Sequence, residues 1–165
     1  MRFDLLSQYE IPYLHPLAVH FPLVLLLLAA GVTVLYAAFG RPVWRLAALA
    51  LFALGTVGAF VARQTGETME HEMEGDATVE AVLGTHERMA DYTMWTAALS
   101  ALAFGGLSVA SRRGRRTGGT RSDGAATREP LAWRLAALVP ALVAAALVAW
   151  TAHLGGIMAH GRFIG

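Results

Sequence analysis

Four long apolar segments constrain this chain more than any other feature of its sequence. They cover about residues 17–39, 44–62, 89–110 and 131–153, the last running slightly further. Each is close to the ~20 residues with which an α-helix crosses the hydrocarbon core of a bilayer. None shows the alternating pattern of a strand. Because the chain is 56% hydrophobic and only 15% charged, we expect an all-α integral membrane protein, with a single four-span domain over 1–165 that forms a four-helix bundle.

Arginine is distributed unequally among the connecting segments. Segment 41–45 holds two arginines and segment 111–130 holds six, whereas segment 63–88 holds two arginines against seven acidic residues. The positive-inside rule therefore places 41–45 and 111–130 in the cytoplasm and both termini on the outer, periplasmic side of a bacterial inner membrane. The Gly/Ser/Thr/Arg-rich composition of 111–130 predicts a mobile linker. No nucleic-acid partner is expected, because orientation explains the arginines and no aromatic residues are interleaved with them.

Histidine is the residue type that points to chemistry. The chain contains no cysteine, which excludes disulfides, thiolate metal sites and covalent haem attachment through CxxCH. With the orientation above, every histidine falls on the outer side or at the outer membrane boundary. The six are His15, His20, His71, His86, His153 and His160.

Three histidines on different predicted helices fall at similar depth. Counting from the cytoplasmic ends at ~1.5 Å per residue places His20, His86 and His153 roughly 30–36 Å away. Four-helix bundles hold haem or metal with histidines on facing helices. We therefore predict His20 and His153 as an axial pair, with His86 in reserve and His160 as a candidate for a second, outer site. The alternative is that these imidazoles cap helix ends and bond carbonyl groups near the interface.

The motif LHPLAVHFP at 14–22 contains two histidines with different predicted roles. His15 precedes Pro16, and proline is favoured at the first position of a helix, so His15 is expected near the cap as an interfacial helper. His20 lies inside the span. The two are separated by about 140° around a helix, so they should not both face one ligand.

Glycines and arginines accompany the histidines at the same predicted end. Gly155 and Gly156 cost the helix about 1 kcal/mol each relative to alanine. Their missing side chains leave room for a porphyrin face or for close helix packing. Arginine suits the bidentate binding of haem propionates. The candidates are Arg63, Arg88 and Arg162, for which pairing with nearby acids is the alternative.

Several of these stretches resemble one family. HPLAVHFPLVLLLL at 15–28 resembles the signature HPxxVHFPxALL that opens the membrane proteins of domain-of-unknown-function family 2231. TAHLGGIMAHG at 151–161 is similar to the closing pattern of that family, RQTGETME at 63–70 resembles its Thr-Gly pair, and His86 corresponds to its histidine at the start of span three. Some relatives carry cytochrome c-type modules, which implies respiratory electron transfer and bound b-type haem.

Three functional hypotheses follow. The first is a membrane-bound, b-type cytochrome-like protein that holds haem b, one or two groups, near the periplasmic face. It would transfer electrons without being an enzyme, and its partner would be a separate c-type cytochrome or a larger membrane complex. The second is a copper or zinc protein with a site made of His20, His86 and His153 and, further out, His160. The third is a cofactor-free scaffold subunit.

Overall fold

The computed structural model is all-α and describes residues 11–70, 75, 77–117 and 129–160. Its helices are α1 (Ile11–Phe39), α2 (Pro42–Glu70), α3 (Ala77–Thr117) and α4 (Leu131–His160). All four are long and apolar enough to cross a membrane. The predicted four-helix membrane protein is therefore confirmed, whereas the side of the membrane on which the termini lie stays a prediction.

The helices form a ring in which neighbours in the chain pack side by side. α1 also packs against α4, which closes the ring and leaves α1 and α3 on a diagonal. α1 ends at Gly40, whose φ of 64° lies in the left-handed region and whose N–H donates to the Tyr36 carbonyl at 2.8 Å. This is the usual glycine C-cap, and it turns the chain directly into α2.

Aromatic side chains fill the centre of the bundle. Phe52 and Phe104 are stacked with ring centroids 5.8 Å apart, and Tyr36 meets Phe104 edge-on at 5.9 Å. α1 and α2 approach closely, since a Cβ added at Gly55 would lie 2.5 Å from the Leu26 side chain. Small residues thus bring these two helices together, as Gly55 in span two suggests.

The helices extend beyond the predicted spans. Segment 63–88, predicted as a loop, is helical over 63–70 and 77–88, so His86 lies inside α3. Hydropathy identifies only the part of a helix that lies in the hydrocarbon core of the bilayer. The charged turns beyond the core are not apolar, so hydropathy does not predict them as helix. Residues 111–117 are also helical, and the rest of the predicted linker, 118–128, falls outside the described residues.

The start of α1 differs from the prediction. The helix begins at Ile11, so His15 is not at its cap but one turn inside it. Pro12, and not Pro16, lies in the first turn of the helix. The N–H groups of that turn have no partner within the helix, so proline is tolerated there. Pro16 and Pro22 lie within the helix.

A buried polar cluster occupies the end of the bundle where α1 turns into α2. We call it the closed polar cluster, and it consists of Tyr36, Arg45, Ser111 and Glu129. Arg45 pairs with the Glu129 carboxylate and donates to Ser111 Oγ at 2.6 Å, and the Tyr36 hydroxyl also donates to Glu129. The cluster therefore joins α1, α2 and α3 to the residues that precede α4.

Candidate imidazole site

His15 binds the neighbouring helix α2. Its Nδ1 lies 2.9 Å from the Ala62 carbonyl oxygen and 3.0 Å from Thr65 Oγ1. The ring is partly buried, and its Cε1 lies 3.1 Å from the position that a Cβ of Gly66 would occupy. The Thr-Gly pair at 65–66 thus forms the surface against which the imidazole rests.

His86 binds α4 in the same way. Its Nδ1 lies 3.1 Å from the Thr151 carbonyl oxygen, and its ring is partly buried. Its Cε1 lies 3.4 Å from the position of an added Gly155 Cβ. The first glycine of the predicted pair therefore lies against an imidazole edge.

The two arrangements share one pattern, which we call the carbonyl–glycine notch. In each notch the imidazole bonds a helix carbonyl, and a glycine stands four residues further along: Gly66 after Ala62, and Gly155 after Thr151. Because each Cα–Cβ bond of a helix tilts toward the N-terminus, the side chain of residue i+4 leans over the carbonyl of residue i. Glycine at that place leaves the carbonyl open to a third group.

The hydrogen bonds fix which ring nitrogen carries the proton. A carbonyl oxygen can only accept, so Nδ1 of both His15 and His86 is the donor. In the neutral ring the other nitrogen, Nε2, then carries a lone pair. His15 and His86 are each half-buried against a neighbouring helix, and they belong to the diagonal helices α1 and α3. We call this pair the imidazole site.

The other predicted histidines lie on the outside of the bundle. His20, His153 and His160 are exposed. His20 and His160 bond carbonyls one turn back in their own helices, those of Pro16 and Gly156, and the His153 ring lies 5.5 Å from the Trp150 ring. His15 is therefore half-buried and His20 exposed, and the ligand roles predicted for His20, His153 and His160 stay predictions.

A three-histidine metal site receives no support from the geometry. No group of three or more potential metal ligands occurs among the residues that the structure describes. His71 is outside them. An open groove of about 550 Å³ between α2 and α3 is lined by Leu49, Thr56, Gly105 and similar residues, and no histidine lines it.

The remaining predicted site residues are engaged elsewhere or lie outside the described range. Arg63 pairs with Glu67 at 3.1 Å and with Asp91 at 2.8 Å, and Arg88 Nε donates to its own helix at the Gly84 carbonyl. Nothing lies within 4 Å of an added Cβ at Gly156, and Arg162 is not among the described residues. Propionate binding by these arginines stays a prediction.

Comparison with protein families decides the relationship of the chain. A family model described as "Predicted membrane protein (DUF2231)" matches residues 11–165, nearly the whole chain. The chain belongs to this family. Comparisons with curated proteins and with solved structures gave no significant match. The family match includes both notches and both histidines of the imidazole site, and it assigns them no role.

Proposed function

We propose that this protein binds b-type haem at His15 and His86 and transfers electrons in the membrane. The observation that carries the proposal is the pair of half-buried imidazole groups on diagonal helices, each bonded to a backbone carbonyl of a neighbouring helix through Nδ1. Histidines that ligate metals almost always donate their second ring N–H to such a carbonyl or to a carboxylate. That bond raises the basicity of Nε2, the atom left for the ligand.

The donor set fits haem better than it fits a bare metal ion. Two imidazoles are a complete axial set for haem iron, whereas zinc and copper sites draw on three or four protein ligands. Bound haem supplies one-electron redox chemistry. The protein's own residues hold the group and exclude a third ligand, so the proposed role is electron transfer and not catalysis.

The partner and the location of the protein belong to the same proposal. The chain has no cysteine, so electrons would be exchanged with a separate redox protein, such as a c-type cytochrome, or within a larger membrane complex. The arginine distribution supports a bacterial inner membrane with the imidazole site on the periplasmic side. The bilayer itself contacts all four helices.

Absorption spectra of the detergent-purified protein, expressed with a haem precursor, test the proposal. We expect a sharp α-band on reduction, and no spectral change with carbon monoxide because both axial positions are filled. His15→Ala and His86→Ala should lose the band. The matched controls are His20→Ala in α1 and His153→Ala in α4, which alter exposed histidines and should keep the band.

Other outcomes would contradict the proposal in identifiable ways. Loss of the band in the control variants, with retention in His15→Ala, would restore His20 and His153 as the ligands. Stoichiometric copper or zinc without haem would favour a metal-binding protein. Neither haem nor metal would favour a scaffold subunit.

A further inference from the structure

We propose that Gly66 is a positioning residue of the imidazole site, an inference that rests on the proposed haem binding. By leaving the Ala62 carbonyl open, Gly66 holds His15 as an Nδ1–H donor and reserves Nε2 for the ligand. Gly155 has the same place relative to His86, with a looser fit. Neither glycine touches the bound group in this proposal, and both act through the histidine.

The contacts at Gly66 show that the position of the His15 ring depends on the absence of a side chain at residue 66. A Cβ there would lie 3.1 Å from Cε1 of His15, 3.4 Å from Nδ1 and 3.7 Å from Nε2. Carbon atoms in good contact are separated by about 3.5–4.0 Å. A methyl group at position 66 would therefore push the ring edge away from α2.

Displacement of the ring changes its hydrogen bond and not merely its packing. The 2.9 Å bond from Nδ1 to the Ala62 carbonyl leaves a few tenths of an ångström before it becomes weak. Thr65 Oγ1, which donates to the Val61 and Ala62 carbonyls of its own helix, lies beside the same nitrogen. With the carbonyl bond lost, the weaker acceptor Thr65 Oγ1 is the group left in the notch to favour a proton on Nδ1.

The chain supplies graded controls for this inference. At Gly155 an added Cβ would lie 3.4 Å from His86 Cε1, an ordinary contact, and at the adjacent Gly156 it would meet nothing within 4 Å. All three glycines are in helices. Alanine has the higher helix propensity at each position, so the three substitutions differ chiefly in what the new methyl group meets.

Haem titration of the full-length protein is the first measurement. We expect Gly66→Ala to weaken haem binding by roughly tenfold, in the range found when an outer-shell partner of a metal ligand is lost. Gly155→Ala should have a smaller effect, and Gly156→Ala should bind as the parent protein does. Electron paramagnetic resonance of the ferric form should show shifted g-values in Gly66→Ala alone. Equal binding and equal g-values in all three variants would overturn the inference, as would an equal loss at Gly156→Ala.

A second measurement separates this inference from haem binding. Nitrogen-15 NMR of labelled histidine reports which ring nitrogen carries the proton in the haem-free protein, with His15 assigned by the signal that disappears in His15→Ala. We expect an Nδ1–H ring in the parent protein and in Gly156→Ala, and proton occupancy shifted toward Nε2 in Gly66→Ala. If the parent protein binds no haem, the proposed function fails. The tautomer measurement still tests whether Gly66 holds His15 as an Nδ1–H donor. An unchanged tautomer in Gly66→Ala overturns it.

Discussion

The polar side chains at the two ends of the bundle have different hydrogen-bond partners. At the closed polar cluster, Arg45 and Tyr36 both donate to the Glu129 carboxylate from different helices, although the buried Arg45 Nε has no hydrogen-bond partner among the described residues. At the imidazole site, His15 and His86 instead bond backbone carbonyls and do so through one ring nitrogen each. Side chains that bond one another join helices, whereas no hydrogen bond to Nε2 of either histidine comes from the part of the chain that the structure describes. This difference is the basis of the ligand site proposed above.

Removal of the Glu129 charge should give the largest effect on stability. Glu129→Gln leaves the buried Arg45 guanidinium without its counter-charge, and breaking a buried pair in this way typically costs about 3–5 kcal/mol. We expect a large fall in the thermal midpoint in detergent with an unchanged haem spectrum. Replacement of both partners, in Arg45→Met with Glu129→Leu, should cost less than Glu129→Gln alone. A haem spectrum that changes in Glu129→Gln would show that the closed polar cluster affects the imidazole site, and the two ends would not be independent.

Tyr36→Phe should give the next largest effect at the same end. The ring stays in place against Phe104, and only the hydroxyl that donates to Glu129 is lost. A hydrogen bond to a charged group contributes about 1.5–3 kcal/mol. Thermal unfolding in detergent measures the loss, and a neutral result would show that Arg45 and Ser111 hold the Glu129 carboxylate without the tyrosine.

The imidazole end should be far less sensitive when no cofactor is bound. His86→Ala in the haem-free protein removes one side-chain-to-backbone hydrogen bond, worth about 0.5–1.5 kcal/mol. We expect a small shift of the thermal midpoint, compared directly with Glu129→Gln in the same detergent. A destabilisation as large as that of Glu129→Gln would mean that His86 is a structural residue, and the contrast between the ends would disappear.

Arg63→Gln should have the smallest effect. Its ion pairs with Glu67 and Asp91 join side chains that are 41–49% exposed, and such pairs contribute about 0–1 kcal/mol. We expect little change in the thermal midpoint at moderate salt. If haem affinity nevertheless falls in this variant, Arg63 has the propionate-binding role that the sequence predicts for it.

The fold was predictable because its main signal is local. Apolar segments of sufficient length identify all four helices, whereas the charged first turns of α3 carry no lipid-matching signal and were assigned to a loop. The closed polar cluster was not predictable, since Glu129 and Arg45 are 84 positions apart and nothing local pairs them. The one local hint is an arginine within the first turn of an apolar helix, and the positive-inside rule accounts for that charge without any partner.

The sequence identifies the residues of the candidate site but not which of them lie against a neighbouring helix. It identifies the histidines and the glycines, whose ligand-binding roles stay predictions. Depth along a helix does not determine which of its faces turns inward. That choice depends on the neighbouring helix, where Gly66 accepts the His15 ring, and on a helix start at Ile11 that removes His15 from the cap.

The short turn between α1 and α2 makes the His15 notch a contact within one helical hairpin. Gly40 and Arg41 are the only residues between the two helices, and two residues span at most about 7 Å. The end of α1 and the start of α2 must therefore remain at the same membrane surface, and the two helices form one hairpin. His15 meets the Ala62 carbonyl within that hairpin, so this contact involves no residue of α3, the helix that carries His86.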